Sequence, residues 1–231
     1  MANLEQFSAR DPRVKIFGSA DAAFKSVAAR LTELISNSLS SRKYSSVVLS
    51  AGNSTAKVLG HLSVAAVEWK RVRWFLADER FLPTSDPNSN HLQVKQLLQK
   101  TLGSEFGKIF TADTTLSPSD SARDYASRIV AENMFDVCVL GMGDDGHIAS
   151  LFPGSSALDS PEMCAAVNDS PKSPSQRITL TNTAFANISN RWLLAVGARK
   201  AKAVAEYIGD GRTPVRQFDP TEIFADEAAY K

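Results

Sequence analysis

The chain has 231 residues, of which 43% are hydrophobic and 22% charged, as is ordinary for a globular protein with a sizeable core. Its 26 basic and 25 acidic residues are interspersed and give a net charge of +1, which argues against a surface for duplex DNA or an anionic membrane. No stretch reaches the length of a membrane span and residues 1–10 lack the apolar core of a signal peptide, so we expect a cytoplasmic protein without nucleic-acid or membrane partners.

In chain order, the first half alternates short apolar runs with segments of helical period. Residues 20–40 carry apolar side chains at helical spacing and predict a helix with one buried face. Residues 45–52 predict a strand that Gly52 ends, and a second helix is expected from about Ser54. The next strand is predicted at residues 71–78, where it finishes on an acidic side chain.

The second half continues this alternation. Its predicted elements are helices at 91–103 and 121–134, a core strand at 135–143, strands at 177–181 and 191–197, and a helix at 198–208. Such alternation is typical of βαβ units in a largely parallel sheet. Since no repeat, low-complexity tract or linker is visible, we expect one domain over residues 1–231.

A glycine and hydroxyl residues follow the strand at 45–52. Gly52, Asn53, Ser54 and Thr55 stand before a helix, where backbone N–H groups, hydroxyls and the helix dipole favour an anion. The spacing fits neither a P-loop nor a nucleophile elbow. The alternative is that Ser54 or Thr55 only caps the helix.

Charged residues follow the next strand. Asp78, Glu79 and Arg80 leave it together, so at least one should face the crevice at the carboxyl ends of the strands. A loop rich in Pro and Asp then leads to Asn90 and another helix. In isolation, such a triplet is more often a solvated turn.

The strongest motif is GMGDDGHIASLFP at residues 141–153. Its glycines match the dinucleotide pattern G-x-G-x-x-G, but Asp144 and Asp145 would put negative charge against a pyrophosphate, and no ribose-binding acid is evident afterwards. The glycines instead predict a turn that aims His147 into the crevice. Because a nearby carboxylate can fix the imidazole tautomer and raise its basicity, we expect a catalytic base rather than a structural histidine.

Two cations stand at the boundaries of later strands. Arg177 begins one strand and Lys200 follows another. In a generic chain both would be surface charges. Beside a Ser/Thr anion site they become candidate phosphate ligands.

Together, these segments resemble the 6-phosphogluconolactonase family. The family pattern appears here in order, over about residues 45–205, as GNST, DER with a later SN, GMGDDGHIASLFP, RITLT and GARKA. The resemblance implies a Rossmann-like α/β fold: an open, mostly parallel twisted sheet with helices on both faces. It also implies hydrolysis of 6-phosphogluconolactone to 6-phosphogluconate in the oxidative pentose phosphate pathway, without cofactor or metal.

For this reaction we expect His147 to take a proton from water and a carboxylate, Asp145 or Asp78, to orient its ring. Spacing alone does not decide between the two acids. Arg80 should stabilise the oxyanion or the product carboxylate. The expected substrate-binding residues are Gly52, Asn53, Ser54, Thr55, Asn90, Arg177 and Lys200.

The chain departs from the family pattern in two places. The first loop of the family reads G-G-S-T-P, whereas here Asn53 and Ala56 replace a glycine and the proline. Asn tolerates positive φ better than most residues, so the turn is expected to survive. Residues 218–230 match the last helix of the family only loosely, and we carry over no site residue from them.

The sequence disfavours three alternatives. The related glucosamine-6-phosphate deaminases read D-E-Y where this chain has D-E-R, and they place an acid where Phe152 stands. A metal site could in principle draw on Asp78, Asp144, Asp145 and His147, but no H-E-x-x-H or similar frame is present. A catalytically silent sugar-phosphate sensor is disfavoured by the intact candidate base and acids.

Overall fold

The computed structural model of the protein describes residues 11–208 and 213–230. The strands in this part of the chain are β1 Val14–Phe17, β2 Ser45–Leu49, β3 Val72–Leu76, β4 Asp78–Arg80, β5 Ile109–Phe110, β6 Val137–Gly141, β7 Cys164–Val167, β8 Arg177–Leu180, β9 Arg191–Ala195 and β10 Glu222–Asp226. The α-helices are α1 Ala20–Ser41, α2 Asn53–Leu59, α3 Asn90–Leu102, α4 Pro118–Glu132, α5 Asn182–Ala186, α6 Ala201–Ile208 and α7 Pro214–Phe218. Residues 1–10, which carry the expectation about a signal peptide, lie outside the described residues.

The helix ends follow local side-chain chemistry. Ser19, Ser89 and Ser117 cap α1, α3 and α4, each accepting a hydrogen bond from a backbone N–H of the first turn. α3 ends at Gly103, which has a φ of 66°. Pro118 occupies the first turn of α4, so this helix begins three residues before the predicted bound of 121. Within the described ranges, no helix is long and apolar enough to cross a membrane.

Seven strands form one sheet in the order β1-β10-β9-β6-β2-β3-β5, and every adjacent pair is parallel. β4, β8 and β7 form a separate antiparallel sheet in that order. Helices cover both faces of the large sheet, and the predicted Rossmann-like, mostly parallel architecture is confirmed. That the whole of residues 1–231 is one domain stays a prediction.

Two apolar cores lie on opposite faces of the large sheet. Val47 and Val139 point into the first core, with α1, α2 and α3, while Val48 and Leu140 point into the second core, with α4, α6, α7 and the small sheet. Because both faces are covered, the central strands are apolar at successive positions rather than at alternate ones. This explains the unbroken apolar run that marked residues 135–143 in the sequence.

The strand order reverses between β2 and β6 at the centre of the sheet. From β2 the chain runs outward through β3 and β5 on one side, whereas β6, β9 and β10 occupy the other. Loops that leave neighbouring strands in opposite directions open a crevice at their carboxyl ends. The loop that begins at Ser50 and the turn that begins at Gly141 both leave from this point.

The structure corrects one predicted strand end and defines one segment for which no element was predicted. Asp78–Arg80 does not continue the strand at 71–78 but forms β4, which pairs antiparallel with β8 in the small sheet. Residues 218–230, compared above with a last helix, contain β10 between β1 and β9. Ile223 enters the second core and Phe224 the first, so that successive side chains are buried on opposite faces, as in a strand.

Candidate active site

A cavity of about 650 Å³ opens at the carboxyl ends of the parallel strands. Its walls come from the loops after β2, β6 and β9, the start of α3 and the loop before β8. It gathers most of the predicted site residues, namely Gly52, Asn53, Ser54, Asp78, Arg80, Asn90, His147, Arg177 and Lys200. Thr55 and Asp145 do not line it.

The loop after β2 differs from the expected turn in its backbone conformation and in the position of Thr55. Gly52 precedes α2 with extended backbone, and Asn53 is the first helical residue, so neither needs the positive φ that was invoked for this turn. Thr55 is buried, and its hydroxyl lies 3.3 Å from that of Ser50. The expectation that Thr55 contacts substrate therefore does not fit its placement, whereas Ser54 does line the cavity.

His147 is paired with Asp145 by a short contact between Nδ1 and Oδ1. The turn that holds this pair is closed by two backbone hydrogen bonds, from Gly143 N to His147 O at 2.8 Å and from Gly146 N to Gly143 O at 3.2 Å. Gly146 has a φ of 77°, a conformation that favours glycine. The ring of Phe152 lies 4.7 Å from the imidazole, centroid to centroid.

The pair favours a neutral imidazole beside an ionised carboxylate. Burial lowers the pKa of His147, and the hydrogen bond and negative charge of Asp145 offset this only in part. Burial is the largest single effect on Asp145 and acts to raise its pKa, but the hydrogen bonds from His147 and the nearby positive charge of His147 and Lys172 together outweigh it and leave that pKa lowered. With Asp145 accepting at Nδ1, the ring keeps its Nε2 lone pair available for a proton.

Asp78 occupies another part of the cavity wall. Its Oδ2 accepts a hydrogen bond from Ser150 Oγ at 2.7 Å and lies 3.8 Å from Arg177 Nη1. No hydrogen bond joins it to His147 in the described part of the chain. Of the two acids considered from the sequence, Asp145 is therefore the one that contacts the imidazole.

Arg80 and Asn90 present unpaired polar atoms on the same side. Arg80 Nη1 donates to Asn88 O at 3.0 Å, while its buried Nε has no partner among the described residues. Asn90 Nδ2 donates to the backbone oxygen of Asp78 at 2.9 Å, which leaves Asn90 Oδ1 buried and likewise without a partner. Buried polar atoms of this kind call for a ligand or water partner.

Glu79, the middle residue of the triplet, holds these side chains in place. Its buried carboxylate accepts hydrogen bonds from the N–H groups of Arg80, Asn90 and His91 at 2.7–2.8 Å, and from Thr111 Oγ1 at 3.0 Å. Burial raises the pKa of Glu79, against the effect of these donors. No pattern in the sequence distinguishes Glu79 from its charged neighbours.

Arg177 lines the cavity, but its donors are largely committed. Nε donates to Pro174 O at 2.9 Å, and Nη2 donates to Lys172 O at 3.0 Å and Ser173 O at 3.2 Å. A phosphate fork needs two free parallel donors, which this geometry does not leave. Arg177 therefore anchors the loop before β8, with only Nη1 left without a hydrogen bond among the described residues, and its role as a phosphate ligand stays a prediction.

Lys200 faces the cavity from the turn after β9 and forms a short ion pair with Asp144 Oδ1. This contact lowers the pKa of Asp144. The adjacent acids of the motif thus have different partners, since Asp144 binds Lys200 while Asp145 binds His147. Among the described residues, no group of three or more His, Cys, Asp or Glu side chains is placed to hold a metal ion.

The cavity is also lined by three cationic residues that were not predicted from the sequence: Lys57, Lys172 and Arg199. Lys57 lies one helical turn beyond Asn53, a spacing that could have revealed it. Lys172 lies in a loop with no periodic pattern, and only packing brings it to the cavity. The lining holds six cationic side chains and two carboxylates, so this crevice is far more basic than the chain as a whole.

Comparison with known proteins extends over nearly the whole chain. Residues 18–227 match the family described as glucosamine-6-phosphate isomerases/6-phosphogluconolactonase. A 6-phosphogluconolactonase of Mycobacterium tuberculosis is 36% identical, with 87% of each chain covered. One from Streptomyces coelicolor is 33% identical, covering 84% of this chain and 82% of that one.

Solved structures agree with the fold. A 6-phosphogluconolactonase from Shewanella baltica superimposes with a TM-score of 0.83 at 28% identity, covering 92% of this chain and 97% of that one. A monomeric glucosamine-6-phosphate deaminase superimposes with a TM-score of 0.78 at 17% identity, covering 94% and 98%, which shows the shared fold alone. Because the match spans residues 18–227 and close relatives align over most of their length, this chain belongs to the glucosamine-6-phosphate isomerase/6-phosphogluconolactonase family.

Proposed function

We propose that the protein hydrolyses 6-phosphogluconolactone to 6-phosphogluconate, a step of the oxidative pentose phosphate pathway, without a cofactor. The observation that carries this proposal is the His147–Asp145 pair at the edge of a cation-rich cavity. Opening a lactone requires a base and a stabiliser for an oxyanion, and an anionic substrate requires positive charge around it. The named activity of the relatives from Mycobacterium and Streptomyces supports the same reaction.

His147 acts as the general base. Its Nε2 takes a proton from water as the water oxygen adds to the lactone carbonyl carbon. When the tetrahedral intermediate collapses, the bond from that carbon to the ring oxygen breaks, and the proton on His147 passes to the leaving oxygen. Asp145 holds the ring in the required tautomer and stabilises the imidazolium that forms between these two steps.

Arg80 stabilises the oxyanion. Its buried Nε lacks a partner in the described chain, while Nη1 is fixed by Asn88 O, so that the guanidinium is held in place and a donor is free. A donor that is already oriented stabilises developing charge without reorganisation. Once the ring is open, the same group can bind the product carboxylate.

Asn90, with Asp78 beside it, recognises sugar hydroxyls. Since a backbone carbonyl only accepts, the hydrogen bond from Nδ2 to Asp78 O fixes the amide so that Oδ1 is the free atom. An unpaired acceptor in a residue only 3% exposed is suited to a hydroxyl donor and unsuited to a phosphate dianion. Asp78 adds a second acceptor on this side of the cavity.

The phosphate binds on the other side, at Gly52, Asn53 and Ser54. Lys57 and Lys200 line the same cavity, and Lys200 is held by Asp144 in the present structure. We expect phosphate to compete with Asp144 for this ammonium group. The phosphate then anchors the substrate so that its carbonyl lies near the base.

The second candidate is the isomerase or deaminase chemistry of the same family. The sequence argument against it rests on Phe152, which takes the place of an acid in the deaminase pattern and whose ring lies 4.7 Å from that of His147, centroid to centroid. Without that acid the relay for ring opening of an amino sugar is incomplete. We therefore rank lactone hydrolysis first.

The test is hydrolysis of freshly generated 6-phosphogluconolactone, measured above the spontaneous rate, with and without a chelator. We expect chelator-resistant turnover that falls about 10²–10⁴-fold in His147→Gln. His61→Gln is the matched control, since His61 lies outside the cavity and pairs with Asp21. No acceleration over the spontaneous reaction would contradict the proposal, and glucosamine-6-phosphate deamination would be assayed next.

A further inference from the structure

Lys172 lies against the His147–Asp145 pair. Its ammonium nitrogen is 3.3 Å from His147 Nδ1 and 3.7 Å from Asp145 Oδ2. Lys172 belongs to the loop 168–176 between β7 and β8, far from the motif in sequence. Its side chain is 48% exposed, so it is a charge at the cavity rim rather than part of a core.

The backbone around Lys172 is fixed on several sides. Ser170 Oγ donates to Lys172 O at 2.9 Å and accepts from Lys172 N at 3.2 Å, and Ser170 N donates to Ser175 O at 3.0 Å. The buried guanidinium of Arg177 donates to Lys172 O and to the two following carbonyl oxygens. A surface loop with this many internal hydrogen bonds presents its lysine in a defined place.

The two partners of His147 Nδ1 are not equivalent. The nitrogen can donate its proton to Asp145 or accept a hydrogen bond from Lys172, but not both. A lysine ammonium has no acceptor, so with Nδ1 protonated its partner in the pair is the second oxygen of Asp145. A protonated imidazole would then lie a little over 3 Å from another positive charge, which is unfavourable.

We propose that Lys172 is a positioning residue for the base: it holds the outer oxygen of Asp145 and keeps the His147 ring neutral until water delivers a proton. The groups that face this ring are Asp145 from the same turn, Asp78 from β4, the ring of Phe152 and Lys172. Lys172 is the only cation of this set, within the described chain. Its charge lowers the pKa of His147 in the same direction as burial does.

Only the last step of this inference, the gain in catalysis, rests on the proposed function. The charge coupling between Lys172 and His147 is independent of which reaction the protein performs. The chain has three histidines, so an NMR titration of the imidazole signals resolves each of them, and His147→Gln assigns the signal of interest. This measurement needs neither substrate nor activity.

The decisive variants are Lys172→Met and Lys172→Arg, with Lys57→Met as the matched control. Lys57 lines the same cavity but has no contact with His147 or Asp145 in the described residues. We expect the His147 titration midpoint to move to higher pH by roughly one unit in Lys172→Met, as befits loss of a unit charge at about 3–4 Å in a half-exposed site. In Lys172→Arg and Lys57→Met it should stay near the wild-type value.

Enzyme kinetics provide the second readout. In Lys172→Met, the acid limb of the kcat/KM profile should move to higher pH together with the NMR midpoint, and Lys172→Arg should restore it. An unchanged midpoint in Lys172→Met would overturn the proposal, and so would equal shifts in the Met and Arg variants. A raised KM for substrate with an unchanged midpoint would make Lys172 a substrate ligand instead. If the NMR shift occurs in a protein without lactonase activity, the coupling holds and the proposed function fails.

Discussion

The imidazole of His147 occupies the space that a side chain on Gly143 would need. A Cβ placed on Gly143 would overlap His147 Nδ1 and Cε1 and lie 2.5 Å from Asp145 Oδ1. The side chains of His147 and Asp145 therefore pack directly against the backbone of Gly143. The glycine is required by this close approach, and not by an unusual φ.

Gly143→Ala should accordingly displace the His147–Asp145 pair. We expect kcat to fall by at least about 10²-fold, as for loss of the base itself, with little change in thermal stability. Gly18→Ala is the control, since a Cβ there meets nothing within 4 Å. Activity near the wild-type level in Gly143→Ala would show that the pair does not need this geometry.

Asp145→Asn separates the role of Asp145 from that of Asp78. The negative charge of Asp145 acts to raise the pKa of His147, so its removal should lower that pKa further. We expect kcat to fall about 10²-fold and the acid limb of the kcat/KM profile to move to lower pH, opposite to the shift for Lys172→Met. Asp78→Asn should leave the limb much closer to its wild-type position, because Asp78 makes no hydrogen bond with the ring. If Asp78→Asn moved the limb more than Asp145→Asn, the assignment of the orienting acid would be wrong.

Asn90→Leu tests hydroxyl recognition. The variant removes the free acceptor at nearly constant volume, and we expect kcat/KM for the lactone to fall about 10- to 100-fold. In the wild type, kcat/KM should fall by a similar factor on the deoxy-lactone that lacks the recognised hydroxyl. In Asn90→Leu, kcat/KM should be equal for that analogue and the full lactone. Comparing 2-deoxy and 3-deoxy phosphorylated lactones identifies the hydroxyl. Asn88→Leu is the control, because the side chain of Asn88 is exposed. If the loss of kcat/KM caused by Asn90→Leu simply added to the loss caused by the missing hydroxyl on every analogue, the assignment would be wrong.

Glu79→Gln should destabilise the fold. Each carboxylate oxygen of Glu79 accepts two hydrogen bonds, so the amide NH₂ of a glutamine would face two donors and leave them unpaired. We expect the free energy of unfolding to fall by about 1–3 kcal/mol, measured by urea denaturation. Glu105→Gln, at an exposed ion pair, should change the free energy of unfolding far less than Glu79→Gln does. Equal stabilities for the two variants would mean that this buried carboxylate is dispensable.

Stability should also depend on His147 at mildly acidic pH. Its folded-state pKa is lowered by burial, so below the ordinary value of about 6.5 the unfolded chain binds a proton that the folded chain does not. The stability that neutral His147 contributes to the fold is complete above the ordinary histidine pKa. It is lost as the pH falls toward the lowered folded-state pKa. His147→Gln should lose less stability than wild type between pH 7.5 and 5.5, while His61→Gln should follow wild type. Parallel pH dependence in His147→Gln and wild type would contradict this assignment.

The parts of the site that sequence predicts are those carried by short segments. The strand-loop-helix at Gly52 and the turn that bears His147 combine a local pattern with a strand end, and the parallel sheet brings those ends together. From the sequence, either Asp145 or Asp78 could orient His147. The sequence does not decide between them, because Asp78 comes from a different sheet, and its distance from His147 depends on how the two sheets pack. β10 was missed because a short buried strand and a short helix share apolar composition, and only its neighbours β1 and β9 decide between them.

The roles of the other site residues depend on contacts between segments that are distant in the sequence. Arg177 looks like a free cation in the sequence, yet three carbonyl oxygens of the preceding loop bind its guanidinium. Lys172 has no local pattern at all, and its place beside His147 follows from that same anchoring. Glu79 differs from its charged neighbours only through burial and four donors, which no pattern of charges reveals.

The two apolar cores support different halves of the cavity. α2, which begins beside Gly52 at the cavity, packs in the first core, whereas Ile148 of the histidine turn and the small sheet that carries Arg177 pack in the second. A substitution that repacks one core should therefore act first on the segment of the cavity wall that this core supports.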